Sequence, residues 1–168
     1  MTKSNKAQLF SEPIKYILVV LASMIILISG YALLNLVKER ACSTEIARFE
    51  TEVHNIDKQL RFGQRDLLSY NIPCKADQLY LFDLNKNIDP EIFKDVPIIK
   101  DTLKNKGNYN VFLVKDHKVK SIAYAGNLEI ENPYYLCLVP KHESVSVYGE
   151  GAGRSIKIIK YEDQPECV

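Results

Sequence analysis

From Tyr16 to Val37 the chain is apolar except at Ser23, Ser29 and Asn35, a run of about 22 residues. A helix needs about 20 residues to cross a hydrocarbon core of about 30 Å, so the pattern predicts a membrane-spanning helix over 14–37. Residues 1–13 form a short leader before it. A cleaved secretory signal has an apolar region of only about 7 to 15 residues. The small residues of "GYA" at 30–32 suit a signal peptidase, but apolar sequence continues beyond them through "LLNLV". The apolar helix is therefore expected to stay with the protein.

Beyond the apolar run the rhythm changes. Cys42, Ile46, Phe49, Val53, Ile56 and Leu60 recur at alternating spacings of four and three, with Glu, Arg, Lys and Asp between them. This is the stripe of an amphipathic helix that packs against another surface. It predicts a stalk helix over 38–63, ending at Gly63, where a left-handed residue suits a helix stop. Two partners fit the stripe: the chain's own following domain, or a second subunit. The run is too short to establish a coiled coil.

Residues 64–168 read as a β-rich, mainly antiparallel head. "DLLSYNI" and "QLYLFDL" are strand-like and split by a turn over Pro73–Asp77. "DPEIFKDVPIIKDTLKNKG" reads as short helical turns around Pro97, with Asp89 as cap and Gly107 as stop. "YNVFLVKD" and "KVKSIAYAG" predict a hairpin across "KDHK", and "PYYLCLVP", "ESVSVYG" and "RSIKIIKY" predict further strands. "GEGAG" is expected to turn the last two, and the polar tail "EDQPECV" to be loose. The fold class is thus α+β: one long helix, transmembrane then amphipathic, followed by the head.

Composition changes this picture little. The 22 basic and 21 acidic side chains nearly cancel, so no basic patch points to nucleic acid. Basic residues also balance across the apolar run, with Lys3, Lys6 and Lys15 before it and Lys38, Arg40 and Arg48 after. The positive-inside count therefore does not orient the helix. A short leader before a folded domain with possible disulfides favours a head outside the cytoplasm, on a cell membrane.

Four cysteines, Cys42, Cys74, Cys137 and Cys167, allow three pairings in an oxidising compartment. A Cys74–Cys137 bridge is the pairing favoured here, Cys74 lying between two apolar segments and Cys137 inside a strand-like one. The alternative is that both are small buried hydrophobes. Cys42, just past the apolar run, could be free, acylated or bridged to a partner, and the free state is the one expected. No CxxC pair or spaced histidine marks a metal site. His54, His117 and His142 are scattered, with His117 in a tight turn, and no GxSxG elbow accompanies them. "GEGAGR" at 149–154 lacks the helix and the Lys-Ser/Thr of a phosphate loop. Asp83, Asp89 and Asp95 do not match the spacing of an EF-hand. Neither catalytic residues nor a cofactor are expected.

The leader carries one specific pattern. Lys6-Ala7 is followed by Gln8, Leu9, Phe10, Ser11 and Glu12, and then by the apolar helix. This resembles the class III signal peptide of type IV pilin-like proteins, particularly the archaeal kind. The resemblance implies cleavage between Ala7 and Gln8, which would place Glu12 at the fifth mature position, where pilins carry a glutamate. There it implies pairing with the new α-amino group of a neighbouring subunit, since an unpaired carboxylate in a membrane is costly. Ala7 replaces the more usual Gly, and Pro13 and Lys15 interrupt the apolar helix. The same residues also make an ordinary helix start, with Ser11 as N-cap, Glu12 in the first turn and Pro13 after it. "SEPIKYILVV", "LISGYALL" and "IPCKADQLYLFDL" are also similar to segments of uncharacterised single-pass archaeal membrane proteins.

Two functional expectations follow. One is a non-enzymatic pilin-like subunit that assembles through its N-terminal helix, with Glu12, Ile46, Phe49, Val53, Ile56 and Leu60 as assembly residues. The other is a retained membrane anchor presenting a binding domain. Membrane lipid is a partner in both, with self-association or related membrane subunits in the first.

Overall fold

The computed structural model describes the backbone of residues 11–56 and 60–167, and the side chains of these except at 11–13, 35 and 39. The chain divides into two compact units, residues 1–41 and 42–168. Helix α1, Ser11–His54, is one α-helix of 44 residues that contributes to both. The stalk helix was expected to reach Gly63; α1 is described to His54, Ile56 is again helical, and residues 57–59 lie outside the described residues. Phe62 already bridges Gly151, and Gly63 sits in a turn at φ 73°.

In the first unit, the large apolar side chains from Ile14 to Val37 stand 47–72% exposed. The second unit is α+β, with two four-stranded sheets. The first sheet has the order β1 (Arg65–Asn71), β7 (Ser144–Gly151), β8 (Ile156–Lys160), β5 (Leu128–Ile130). Its pairings are antiparallel except β5 with β8. The second has the order β4 (Lys118–Ala123), β3 (Val111–Lys115), β2 (Gln78–Phe82), β6 (Tyr135–Leu138), all antiparallel.

The period-two pattern of the strands explains the layers. On the first sheet, β7 alternates half-buried and buried residues, so one face packs and the other meets solvent. On the second sheet both faces are covered. Leu79, Leu81, Val111 and Leu113 join one core cluster with Leu68, Tyr70, Val145, Val147, Ile156 and Ile158 of the first sheet. The alternate residues Phe82, Phe112 and Val114 join Ile88, Phe93, Val96 and Ile99 in a second cluster. That second layer is closed by the 3-10 turn Pro90–Phe93 and by helix α2, Pro97–Lys104. Asp89 caps the turn by accepting from Glu91 N at 2.9 Å. Glu91 in turn accepts from Lys100 Nζ at 2.7 Å and Lys104 Nζ at 3.1 Å, bonds that hold its carboxyl down at about 2.

The hairpin expected across "KDHK" joins β3 to β4, with Asp116 and His117 both at positive φ. Two such residues are what a right-twisted hairpin needs in its turn. "GEGAG" is placed differently from the sequence reading. Gly149 and Gly151 lie inside β7, and the turn falls at 152–155. A Cβ on Gly151 would stand 2.2 Å from the carbonyl oxygen of Arg61, so this glycine is required by a close backbone approach and not by a turn.

The tail is not loose. Gln164 is 5% exposed, accepts from Ser146 N at 2.8 Å and donates to Val139 O at 2.6 Å. Val139 N donates to Pro165 O, and Glu166 bridges Leu138. The tail thereby ties β7 of one sheet to the end of β6 of the other.

Among the described residues, one buried side-chain polar group lacks a partner. The hydroxyl of Tyr70, a residue 7% exposed, has no hydrogen-bond partner among the described residues. Burial, and secondarily the Glu52 carboxylate, pushes its pKa upward. An orphaned buried hydroxyl costs roughly 1 to 3 kcal/mol. Tyr70→Phe is therefore expected to raise the unfolding free energy by about 1 kcal/mol in a urea melt. A loss of stability would show instead that the hydroxyl is partnered.

Candidate functional site: the apolar helix and the disulfide-tied head

Ala7 and Gln8, and the side chain of Glu12, lie outside the described residues. What is described begins with the apolar length of α1. This segment is long and apolar enough to cross a membrane, and its apolar window is 0% buried. Exposed apolar patches on soluble monomers rarely exceed a few hundred Å². An unbroken run exposed on all faces of a helix instead has the character of a membrane-spanning or signal helix. It offers a surface for lipid or for other subunits.

From Cys42 onward the same helix belongs to the head. Phe49, Val53, Ile56 and Leu60 are 2–9% exposed and are members of the head's principal core cluster; Ile46 is half-buried. The stripe at spacings of four and three is thus taken up by the chain's own sheets. The expectation that Phe49, Val53, Ile56 and Leu60 form a seam between subunits is corrected: sheet residues already cover them. Polar bonds on the same helix reinforce the packing. Ser121 Oγ donates to Glu50 Oε1 at 2.7 Å, Cys74 N donates to Glu45 Oε2 at 3.0 Å, and His54 Nδ1 lies 3.3 Å from Tyr124 O.

The disulfides are Cys42–Cys74 and Cys137–Cys167. This corrects both the proposed Cys74–Cys137 bridge and the free Cys42. Cys74 sits in the 3-10 turn Pro73–Lys75, facing the start of the docked part of α1. Cys137 sits in β6, beside the returning tail, where Cys167 N donates to Cys137 O at 3.3 Å. Cys42 shares the helical stripe of Ile46 and Phe49, and that placement was the sequence signal that it would meet the head. Two disulfides fit an oxidising, extracytoplasmic compartment.

The remaining candidates are dispersed. His54 is on α1, His117 in the β3–β4 turn and His142 in the turn before β7, the last two at positive φ. Asp83 is buried, with Oδ1 accepting from Asn85 N at 3.0 Å, and Asp89 is the cap described above. Among the described residues, no group of three or more His, Cys, Asp or Glu is placed to hold a metal ion. No protein-family model matches the chain, and no curated protein or solved structure matches it.

Proposed function

We propose that the chain is a non-enzymatic, single-pass membrane protein of pilin-like type, with its head outside the cytoplasm and its assembly surface on the apolar segment 14–37. The observation that carries this reading is the division of labour along α1. One length of the helix is predominantly apolar and unburied, while the next is built into the core of a disulfide-bonded head. Subunit contacts therefore fall to the apolar length, because the amphipathic length is already occupied. The Lys6-Ala7-Gln8 context and Glu12 add the processing site and the charge that the resemblance implies.

A second reading is favoured by the same occupied stripe. A retained anchor presenting a monomeric binding domain needs no subunit seam in the head. The two readings differ at one peptide bond. Mass spectrometry of natively expressed protein is expected to find the N-terminus at Gln8. A start at Met1 or Thr2 would remove the pilin-like reading and leave the anchor.

A further inference from the structure

Three loops meet at one end of the second sheet: those after β2, before β3 and after β4. They line two adjoining clefts of about 570 and 600 Å³ that share Leu84, Asn85 and Asn108. One buried amide organises them. Asn110, 1% exposed, accepts from Ala125 N at 2.8 Å through Oδ1 and donates to Gly126 O at 2.8 Å through Nδ2. Its backbone accepts from Phe82 N and donates to Ala123 O. Asn110 thus ties the loop before β3 to the loop after β4 through its side chain, and to the end of β2 through its backbone carbonyl.

The exposed chemistry of these walls is repetitive. Asn85, Asn87, Asn108 and Asn127 are all exposed and all line the clefts. The side-chain amides of Asn85, Asn87 and Asn108 carry no hydrogen bond to other described residues. Tyr109 and Tyr124, 50% and 39% exposed, both line the first cleft. Tyr124 is steadied by its hydroxyl, which donates to Asn127 Oδ1 at 3.5 Å.

Each class of ligand makes a different demand on such a surface. A primary amide offers two N–H donors and one acceptor, which matches neighbouring hydroxyls that both donate and accept. A charged ligand needs fixed opposite charge; Lys86 and Lys106 line the second cleft, but no charged side chain lines the one that holds both tyrosines. An apolar ligand needs an enclosed apolar pocket. A peptide that extends a sheet needs a length of free strand edge. These walls offer one strand residue, Leu128 of β5, and are otherwise loops and the end of α2. Exposed tyrosine faces among free amides suit a ligand with apolar C–H faces and a rim of hydroxyls.

We infer that this loop cluster binds a neutral oligosaccharide. The Tyr109 and Tyr124 rings pack on the C–H faces of sugar rings, and the Asn85 and Asn108 amides bond their hydroxyls. The inference does not rest on cleavage before Gln8, so either can fail alone. The test uses the full chain in lipid nanodiscs, which avoids sugar-based detergents. Chitotetraose, cellotetraose and maltotetraose are the probes, with empty discs as the control. Saturation-transfer NMR is expected to mark the ring C–H protons of at least one probe. Tyr109→Ala/Tyr124→Ala is expected to weaken that binding about tenfold or more, the loss of two aromatic contacts. The variant's melting temperature should stay unchanged, since both rings are on the surface. Transfer to none of the three probes, or equal binding by the variant, would overturn the inference. So would a peptide that binds these residues where no saccharide does.

Discussion

Val53→Asp is expected to unfold the head while leaving the chain in the membrane fraction. Val53 is 4% exposed and packs in the cluster shared by α1 and both sheets. The substitution removes the burial of a valine, worth roughly 1.5 to 3 kcal/mol. It also places a carboxyl where it has no designed partner, at a further cost of at least about 2 kcal/mol. The sum approaches the total stability of a typical domain, about 5 to 15 kcal/mol. Ala47→Asp is the control, because it puts the same group on the exposed side of the same helix. It is expected to change stability by no more than about 0.5 kcal/mol. Near-UV circular dichroism of the ten tyrosines would follow both variants during urea unfolding. If the stripe served subunit contacts instead, Val53→Asp would leave the head's melt unchanged and only dissociate oligomers.

The stripe also shows what sequence alone delivers. A spacing of four and three states that one helical face is buried, and that face is buried here. It does not state by what, because a chain's own sheet and a neighbour's helix make the same demand on those positions. The choice needed the head's inner faces, which are assembled from strands as distant as Leu68 and Ile158. Strands with clear alternation or aliphatic runs, such as "SVSVYG" and "VFLVK", were legible, as was the "KDHK" turn. β5 was not, since three residues between a glycine loop and Asn132-Pro133 are too few to display a period.

The tail and the clefts were hidden for a different reason. "EDQPECV" is polar, and polar composition ordinarily means a solvated end. Here its polarity serves hydrogen bonds to Ser146 and Val139, so the same residues that read as loose are the ones that fasten it. The asparagines of the clefts lie between positions 85 and 127, in loops that each look like ordinary turn sequence. Only the antiparallel order β4-β3-β2 brings those loops to one end of a sheet.

Each disulfide is expected to contribute about 3.5 kcal/mol, and their loss should have different consequences. Cys42–Cys74 and Cys137–Cys167 close loops with sequence separations of 32 and 30. In the chain-entropy account, loops of this length give about 3.5 kcal/mol each by restricting the unfolded chain. Cys42→Ser/Cys74→Ser should lower stability by that amount, with β6 still covered. Cys137→Ser/Cys167→Ser should lose a similar amount and also loosen the tail on β6, where Glu166 bridges Leu138 and only hydrogen bonds then remain. An uncovered strand edge invites pairing with another chain, so only this second variant should aggregate on mild heating. Light scattering during the melt separates the two cases. The pairing itself is checked by non-reducing proteolysis and mass spectrometry, which should recover linked peptides containing Cys42 with Cys74 and Cys137 with Cys167. A peptide joining Cys74 to Cys137 would overturn both assignments at once, because it would place the turn after β1 against β6 and leave the tail without its covalent link to that strand.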